Sequence, residues 1–158
     1  MKLEVKNLEK KFKNFTAVKN IDFHIDHGQT LGVLGPNGCG KTTTIGMLLG
    51  LIKPSNGKIL IDDENFENLN REKILSQFNF ASPYVELPKK LTVKENLEIY
   101  GRLYGVKDLT RRIQEVSDDL NLSIFLNKKT GELSSGQKNR VSLAKSLINN
   151  PKILFLDE

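Results

Sequence analysis

Residues Gly35-Pro36-Asn37-Gly38-Cys39-Gly40-Lys41-Thr42-Thr43 have the types and spacing to hold a polyphosphate. They fit G-x-x-x-x-G-K-[ST], with Gly35, Gly40, Lys41 and Thr42 in the fixed places. A polyphosphate carries several negative charges, so its site needs many hydrogen-bond donors and little bulk. Gly35, Gly38 and Gly40 let the backbone wind tightly enough to turn successive N–H groups inward. The helix-like run from Thr43 to Leu51 would add unpaired N-terminal N–H groups and a positive dipole end. Lys41 offers a mobile positive charge to the β- and γ-phosphates, and Thr43 is placed for the α-phosphate. The Thr42 hydroxyl can bind Mg²⁺. An ordinary glycine-rich turn is the competing reading. Against it stand the helix that follows and the strand-like run before the loop, Thr30-Leu31-Gly32-Val33-Leu34.

A second group of candidate residues ends the chain. The continuously apolar run Ile153-Leu154-Phe155-Leu156 reads as a parallel strand covered on both faces, and it leads into Asp157-Glu158. Asp157 would accept a hydrogen bond from a water on Mg²⁺ or from Thr42, and Glu158 would polarise an attacking water. Asp-Glu alone would be a surface turn. Behind such a strand, and paired with a phosphate loop, it reads as catalytic.

The elements that must position these groups follow from hydrophobic patterning. Leu3 and Val5 alternate with charged residues, as do Ile21, Phe23 and Ile25, so both stretches read as strands. Phe12 and Phe15 lie in or beside a polar, lysine-rich connection over Lys10 to Asn14. Ile45, Leu48 and Leu49 form a helical stripe ending at Gly50, and Lys58 to Ile61 is a short strand before a turn at Asp62-Asp63. Phe78 to Ala81 is another strand, cut off by Ser82-Pro83. From about Leu87 to Lys129 the texture is helical. Thr92-Val93-Lys94-Glu95 is a capping box, followed by Val93, Leu97, Tyr100 and Tyr104 on one face. Ile113, Val116 and Leu120 mark a second helix from about Thr110, and Val141, Ala144, Leu147 and Ile148 a third, stopped at Asn149-Asn150-Pro151.

At 158 residues the chain is one domain's worth of sequence and can bury a core. No apolar run approaches the roughly 18 residues needed to span a bilayer, which points to a cytosolic protein unless a partner holds it at a membrane. The single cysteine, Cys39, excludes an internal disulfide. Net charge is 24 − 19 = +5. The lysines are spread out with few interleaved aromatics, so a solvated basic rim is favoured over a nucleic-acid face. His24 and His27 have no ligand partners at metal-binding spacing.

Leu133-Ser134-Ser135-Gly136-Gln137 makes the pattern specific. With it, the chain resembles the nucleotide-binding subunit of an ATP-binding cassette transporter, whose signature is Leu-Ser-Gly-Gly-Gln. Arg140 and Ala144 fall where the family expects them, and Leu91 to Leu97 matches the start of its helical subdomain. The resemblance implies an α/β fold: a P-loop NTPase (RecA-like) core with a parallel sheet, an N-terminal antiparallel β portion and an inserted helical subdomain. It further implies a single cassette domain over 1–158, incomplete at the C-terminus, with the helical subdomain at about 87–140. ATP and Mg²⁺ are the implied cofactors. Asn37, Gly38, Cys39, Gly40, Lys41, Thr42 and Thr43 would hold the nucleotide, and Phe12 would stack on adenine. The metal would be bound by Thr42 and, through water, by Asp157. Glu158 would be the catalytic base. Two cassettes would pair head to tail, with Ser134, Ser135, Gly136 and Gln137 of one meeting the ATP of the other. A transmembrane permease would be the second partner, nucleic acid would not be one, and the place of work would be the cytoplasmic face of a membrane.

The implied activity is ATP hydrolysis that energises export. A non-catalytic ATP-binding fragment, and a soluble ATPase of this type acting on nucleic acid or ribosomes, are the alternatives. Four departures from the family pattern stand out. Cys39 replaces a small Ala or Ser, and Ser135 replaces the first signature glycine. The glutamine expected after the strand before the helical subdomain is replaced by Ala81-Ser82-Pro83, where Ser82 could bond a metal-bound water. The sequence stops at Glu158, before the family's switch histidine, so the chain is expected to be marginally stable, aggregation-prone and inactive or weak as an ATPase alone.

Overall fold

Alternating apolar and charged residues build the first sheet. β1 (Leu3–Phe12) pairs antiparallel with β2 (Phe15–Ile25), setting Leu3 opposite Ile25 and Val5 opposite Phe23. β3 (Asn56–Ile61) pairs with the other edge of β1, and the two-residue β4 (Glu64–Asn65) completes the order β2-β1-β3-β4. The period of two sends Leu3, Val5, Ile59 and Ile61 to the buried face. The register slips between Val5 and Leu8, where Asn7 has φ +48° and its N–H donates to Asp22 Oδ1 at 2.8 Å. The β3–β4 hairpin turns on Asp62-Asp63, whose φ values of +48° and +67° suit a tight two-residue turn. Lys2 braces it, its backbone N–H donating to Asp62 Oδ1 at 2.7 Å and its ammonium to Asp63 Oδ1 at 2.9 Å.

This computed structural model describes residues 1–82 and 86–157. It divides into two compact units, Met1–Leu75 and Ser76–Glu158. The first holds β1 to β4, helix α1 (Lys41–Leu48), which packs on β2, and the short α2 (Arg71–Leu75). Met47 and Leu48 of α1 are buried.

In the second unit β5 (Phe78–Ala81) and β6 (Ile153–Leu156) run parallel, Phe78 opposite Ile153 and Ala81 opposite Leu156. Helices α3 (Val93–Leu103), α4 (Leu109–Asp119) and α5 (Ser135–Leu147) bury the stripes expected of them: Val93 and Leu97, Ile113 and Val116, Val141 and Ala144. Arg112 of α4 caps the end of α5, donating to Leu147 O at 2.7 Å and Ile148 O at 3.3 Å, where a cation also suits the helix dipole. Among the described residues no helix is long and apolar enough to cross a membrane.

Three expectations are corrected. Thr30–Leu34 forms no strand, and Leu34 is 95% exposed. An apolar run becomes a strand only when a neighbour satisfies its N–H and C=O groups, and among the described residues none pairs with this one. β6 is not covered on both faces either, since Phe155 is buried but Leu156 is 61% exposed. Phe12 and Phe15, by contrast, lie within strands and face each other at the end of the β1–β2 ladder. The connection is only Lys13-Asn14, with Lys13 at φ +49°.

Candidate nucleotide site

The loop from Gly35 to Gly40 winds into the N-terminus of α1. Gly40 is the N-cap, at φ +100°, and an added Cβ would stand 2.4 Å from the carbonyl oxygen of Ala17. Only glycine fits there, both for the left-handed backbone and for the close approach of β2. No side chain caps α1, so no side chain satisfies its first N–H groups. Thr44, which pattern reading did not single out, locks the junction: buried, it donates its hydroxyl to Gly40 O at 2.9 Å and its N–H to the same oxygen at 2.8 Å. The fixed Thr-Thr-Thr run gave a signal for it only through its i−4 spacing to the last loop glycine.

Lys41 is not a free charge. Its Nζ turns back over the loop and donates to Gly35 O at 2.7 Å and Pro36 O at 3.0 Å. That places the ammonium at the loop itself, in contact with two carbonyls that a phosphate would replace as its partners. Thr42 is exposed on the first turn, Thr43 half-buried, and Asn37, Gly38 and Cys39 exposed. The ring of Phe12 is 45% exposed, with Lys10 Nζ 4.9 Å from its centroid. Its register partner Phe15 is two residues from Ala17, the residue against Gly40. The aromatic tip therefore stands about 7 Å along the strand from the residue that backs the phosphate loop.

Parallel pairing brings the other set together. Ser82 and Asp157 follow directly on the paired residues Ala81 and Leu156, and Asp157 N–H donates to Ala81 O at 3.0 Å. Both sit at the carboxyl ends of their strands, the edge where open α/β sheets carry their ligands. Ser82 is buried and Asp157 half-buried. Glu158, expected as the base, and Pro83 lie outside the described residues. No three of the described His, Cys, Asp and Glu residues cluster as a metal site of their own.

Ser134 to Gln137 form a second capping box at the start of α5. Ser134 Oγ accepts from Gln137 N–H at 3.3 Å, and Gln137 Oε1 accepts from Ser134 N–H at 3.0 Å. This went unread although the S-x-x-Q spacing is the same as in Thr92–Glu95. Ser135 and Gly136 are exposed on the first turn, facing solvent with the helix's unpaired N–H groups.

Known proteins share this sequence and fold. The family described as "ABC transporter" matches residues 18–158. A spermidine/putrescine import ATP-binding protein, PotA, of Nitrosomonas eutropha is 37% identical across 99% of this chain, which spans 43% of that protein. A Nod factor export ATP-binding protein of Burkholderia lata is 35% identical, with 99% of this chain covering 52% of it. The probable multidrug ABC transporter ATP-binding protein YbhF of Escherichia coli is also 35% identical, over 27% of its length. The chain thus spans about half or less of these relatives. Among solved structures, cbiO1 from Clostridium perfringens, part of the cbiONQ transporter complex, superposes with a TM-score of 0.86 at 28% identity, covering 99% of this chain and 64% of that one. A putative ABC transporter ATP-binding protein from Pyrococcus furiosus gives 0.84 at 30% identity, covering 99% and 75%. By the reach of the family match and by the fold it shares with these structures, the chain belongs to the ABC transporter family, among its ATP-binding subunits.

Proposed function

We propose that this chain binds Mg-ATP at Gly35–Thr43 and supplies the ATP-hydrolysing part of a transporter. The observation that carries the reading is the fit of Gly40, closely approached by Ala17 O on one side and opening an uncapped helix on the other, with Lys41 Nζ poised over the loop. In this reading Phe12 stacks on adenine, Thr42 and Asp157 hold the metal, Ser82 bonds a metal-bound water, and Glu158 polarises the attacking water. The metal would neutralise charge on the phosphates. Lys41 orients the β- and γ-phosphates by leaving the Gly35 and Pro36 carbonyls for them, and the loop N–H groups fix the polyphosphate against α1.

The signature gives the chain a second face. Ser134, Ser135, Gly136 and Gln137 sit at a helix N-terminus suited to an anion, so a head-to-tail pair of chains would close two ATP molecules between them. One cassette domain over 1–158, with a helical part at about 87–140, is the working unit. A permease would carry the solute, as the similarity to a part of the cbiONQ transporter complex suggests, and the chain would act on its cytoplasmic face. Nucleic acid has no place in this reading. The relatives include import and export proteins, and the export direction rests on the one named for it, the Nod factor protein.

Titration calorimetry tests the core of this. The parent chain should bind Mg-ATP, and Lys41→Ala should weaken it by at least about tenfold, as expected on removing a charge-assisted contact. Equal affinity in the two would overturn the site. Transport by inside-out vesicles carrying the permease would distinguish export from import.

A further inference from the structure

The residues just before the signature are spliced into the residues just before α3. Thr130 is 3% exposed. Its hydroxyl donates to Pro88 O at 2.7 Å, with Leu91 O at 3.3 Å, and its N–H donates to Leu91 O at 2.9 Å. Gly131 N–H donates to Lys89 O at 3.0 Å, and an added Cβ on Gly131 would stand 3.0 Å from the same oxygen. On the other side Val93 N–H reaches Lys128 O at 3.0 Å and Lys94 N–H reaches Leu126 O at 2.9 Å. Asn96, 1% exposed, closes the set from within α3, its amide donating to Thr92 O at 2.9 Å and Pro88 O at 3.3 Å. The carbonyls of the 88–92 segment are therefore held by donors from both α3 and the 128–131 segment. Four residues after Thr130 comes Ser134, the N-cap of α5.

We propose that Thr130 is a positioning residue for the signature: its buried hydroxyl locks the 128–131 segment to Pro88 and Leu91, and so fixes where Ser134 to Gln137 stand. The physical reason is the direction of the bonds. Pro88 O accepts from the Thr130 hydroxyl at 2.7 Å, the shortest of its bonds, and from the Asn96 amide and the Leu91 N–H at 3.3 Å each, so Thr130 is the group that ties it to the segment before the signature. Leu133, buried, then pins the short run between Thr130 and Ser134 into the helical core. A displacement of the 86–92 segment is carried to the α5 N-terminus, because the hydrogen-bonded splice offers no slack in between. This role in ATP handling rests on the function proposed above; the mechanical link does not.

Amide hydrogen exchange tests the link directly in the chain without nucleotide. Thr130 and Gly131 amides should be as protected as those of Leu97 and Tyr100 in α3, although Gly131 and Lys89 are exposed. Exchange at an open-loop rate there would overturn the proposal without any variant. Thr130→Val keeps the shape and removes the donor. It should speed exchange at Gly131 and Gln137 by roughly tenfold while leaving Leu97 and Tyr100 unchanged, and Thr130→Ser should restore the parent pattern. Unchanged exchange at Gln137 in Thr130→Val, or equal acceleration throughout the unit, would overturn it. A second arm reads function: Thr130→Val should keep the parent's affinity for Mg-ATP and weaken ATP-driven pairing of chains about tenfold. Equal pairing by this variant and the parent would refute the positioning role. Failure of the parent itself to bind ATP would instead sink the proposed function, and the exchange result would stand.

Discussion

Asn79 on β5 donates its side-chain amide to Asn149 Oδ1, just after α5, at 2.8 Å. Asn149 in turn donates to Ser76 O at 3.0 Å and Phe78 O at 3.2 Å, and Tyr104 at the end of α3 donates its hydroxyl to Asn79 Oδ1 at 3.3 Å. One buried amide thus joins the strand that ends at Ala81, the helix that begins at the signature, and the last turn of α3. Asn149→Ala strands the Asn79 amide, which is only 4% exposed, and should cost about 1–3 kcal/mol of stability. Tyr104→Phe leaves Asn79 its other partners and should cost about 0.5–1.5 kcal/mol. Urea denaturation of the three proteins gives the order, and an Asn149→Ala chain as stable as the parent would show the network to be idle.

Gly40→Ala should abolish nucleotide binding. The added methyl collides with Ala17 O, and φ +100° is hostile to alanine, so the loop must shift or the hairpin must give way. Calorimetry with Mg-ATP checks the loss. Circular dichroism shows whether the rest of the chain keeps its fold.

Phe12→Ala should weaken ATP by about 1–3 kcal/mol, the scale of base–aromatic stacking, without a matching loss of stability. The ring is half exposed at the hairpin end, so its removal opens no cavity in the core. The same affinity with ATP in mutant and parent would remove Phe12 from the site.

Cys39 is the one thiol of the chain, and it is exposed within the phosphate loop. Maleimide should label it readily in the free protein and slowly when Mg-ATP occupies the loop. Labelling indifferent to ATP would mean that the nucleotide binds elsewhere.

Acid should loosen the start of α3 through Glu95. The Thr92 N–H, and then its hydroxyl, hold the Glu95 carboxyl below its ordinary pKa of 4.5. A depressed carboxyl stabilises the fold above the unfolded value, and that contribution is lost as pH falls through the folded one. Below about pH 4.5 the cap should therefore weaken, and Glu95→Gln should flatten this acid limb of the stability curve. An unchanged acid limb in the variant would show that the cap does not titrate.

Much of the fold was legible because local rules govern it. The stripes Val93–Leu97, Ile113–Val116 and Val141–Ala144 are buried as their spacing requires, and the Thr92–Glu95 box stands as read. The parallel strands Phe78–Ala81 and Ile153–Leu156 were each visible as short apolar runs. What periodicity could not supply was pairing. Thr30–Leu34 reads as a strand from its Leu31, Val33 and Leu34 but has no ladder partner among the described residues, and composition does not say which neighbour a run will pair with.

The sequence by itself determined the chemistry of the phosphate loop. Three glycines, Lys41 and Thr42 at fixed spacing specify backbone donors, a charge and a hydroxyl through local geometry alone. It also determined the capped starts of α3 and α5, because each cap closes within four residues. Tertiary structure decided the rest. Only the fold could bring Ala17 against Gly40, turn Phe12 onto Phe15, set Asp157 beside Ala81, and hang the signature from Pro88 through Thr130. Each of these joins residues distant in sequence or set by register, and such contacts depend on which elements pack together, a property that no short window of residues contains.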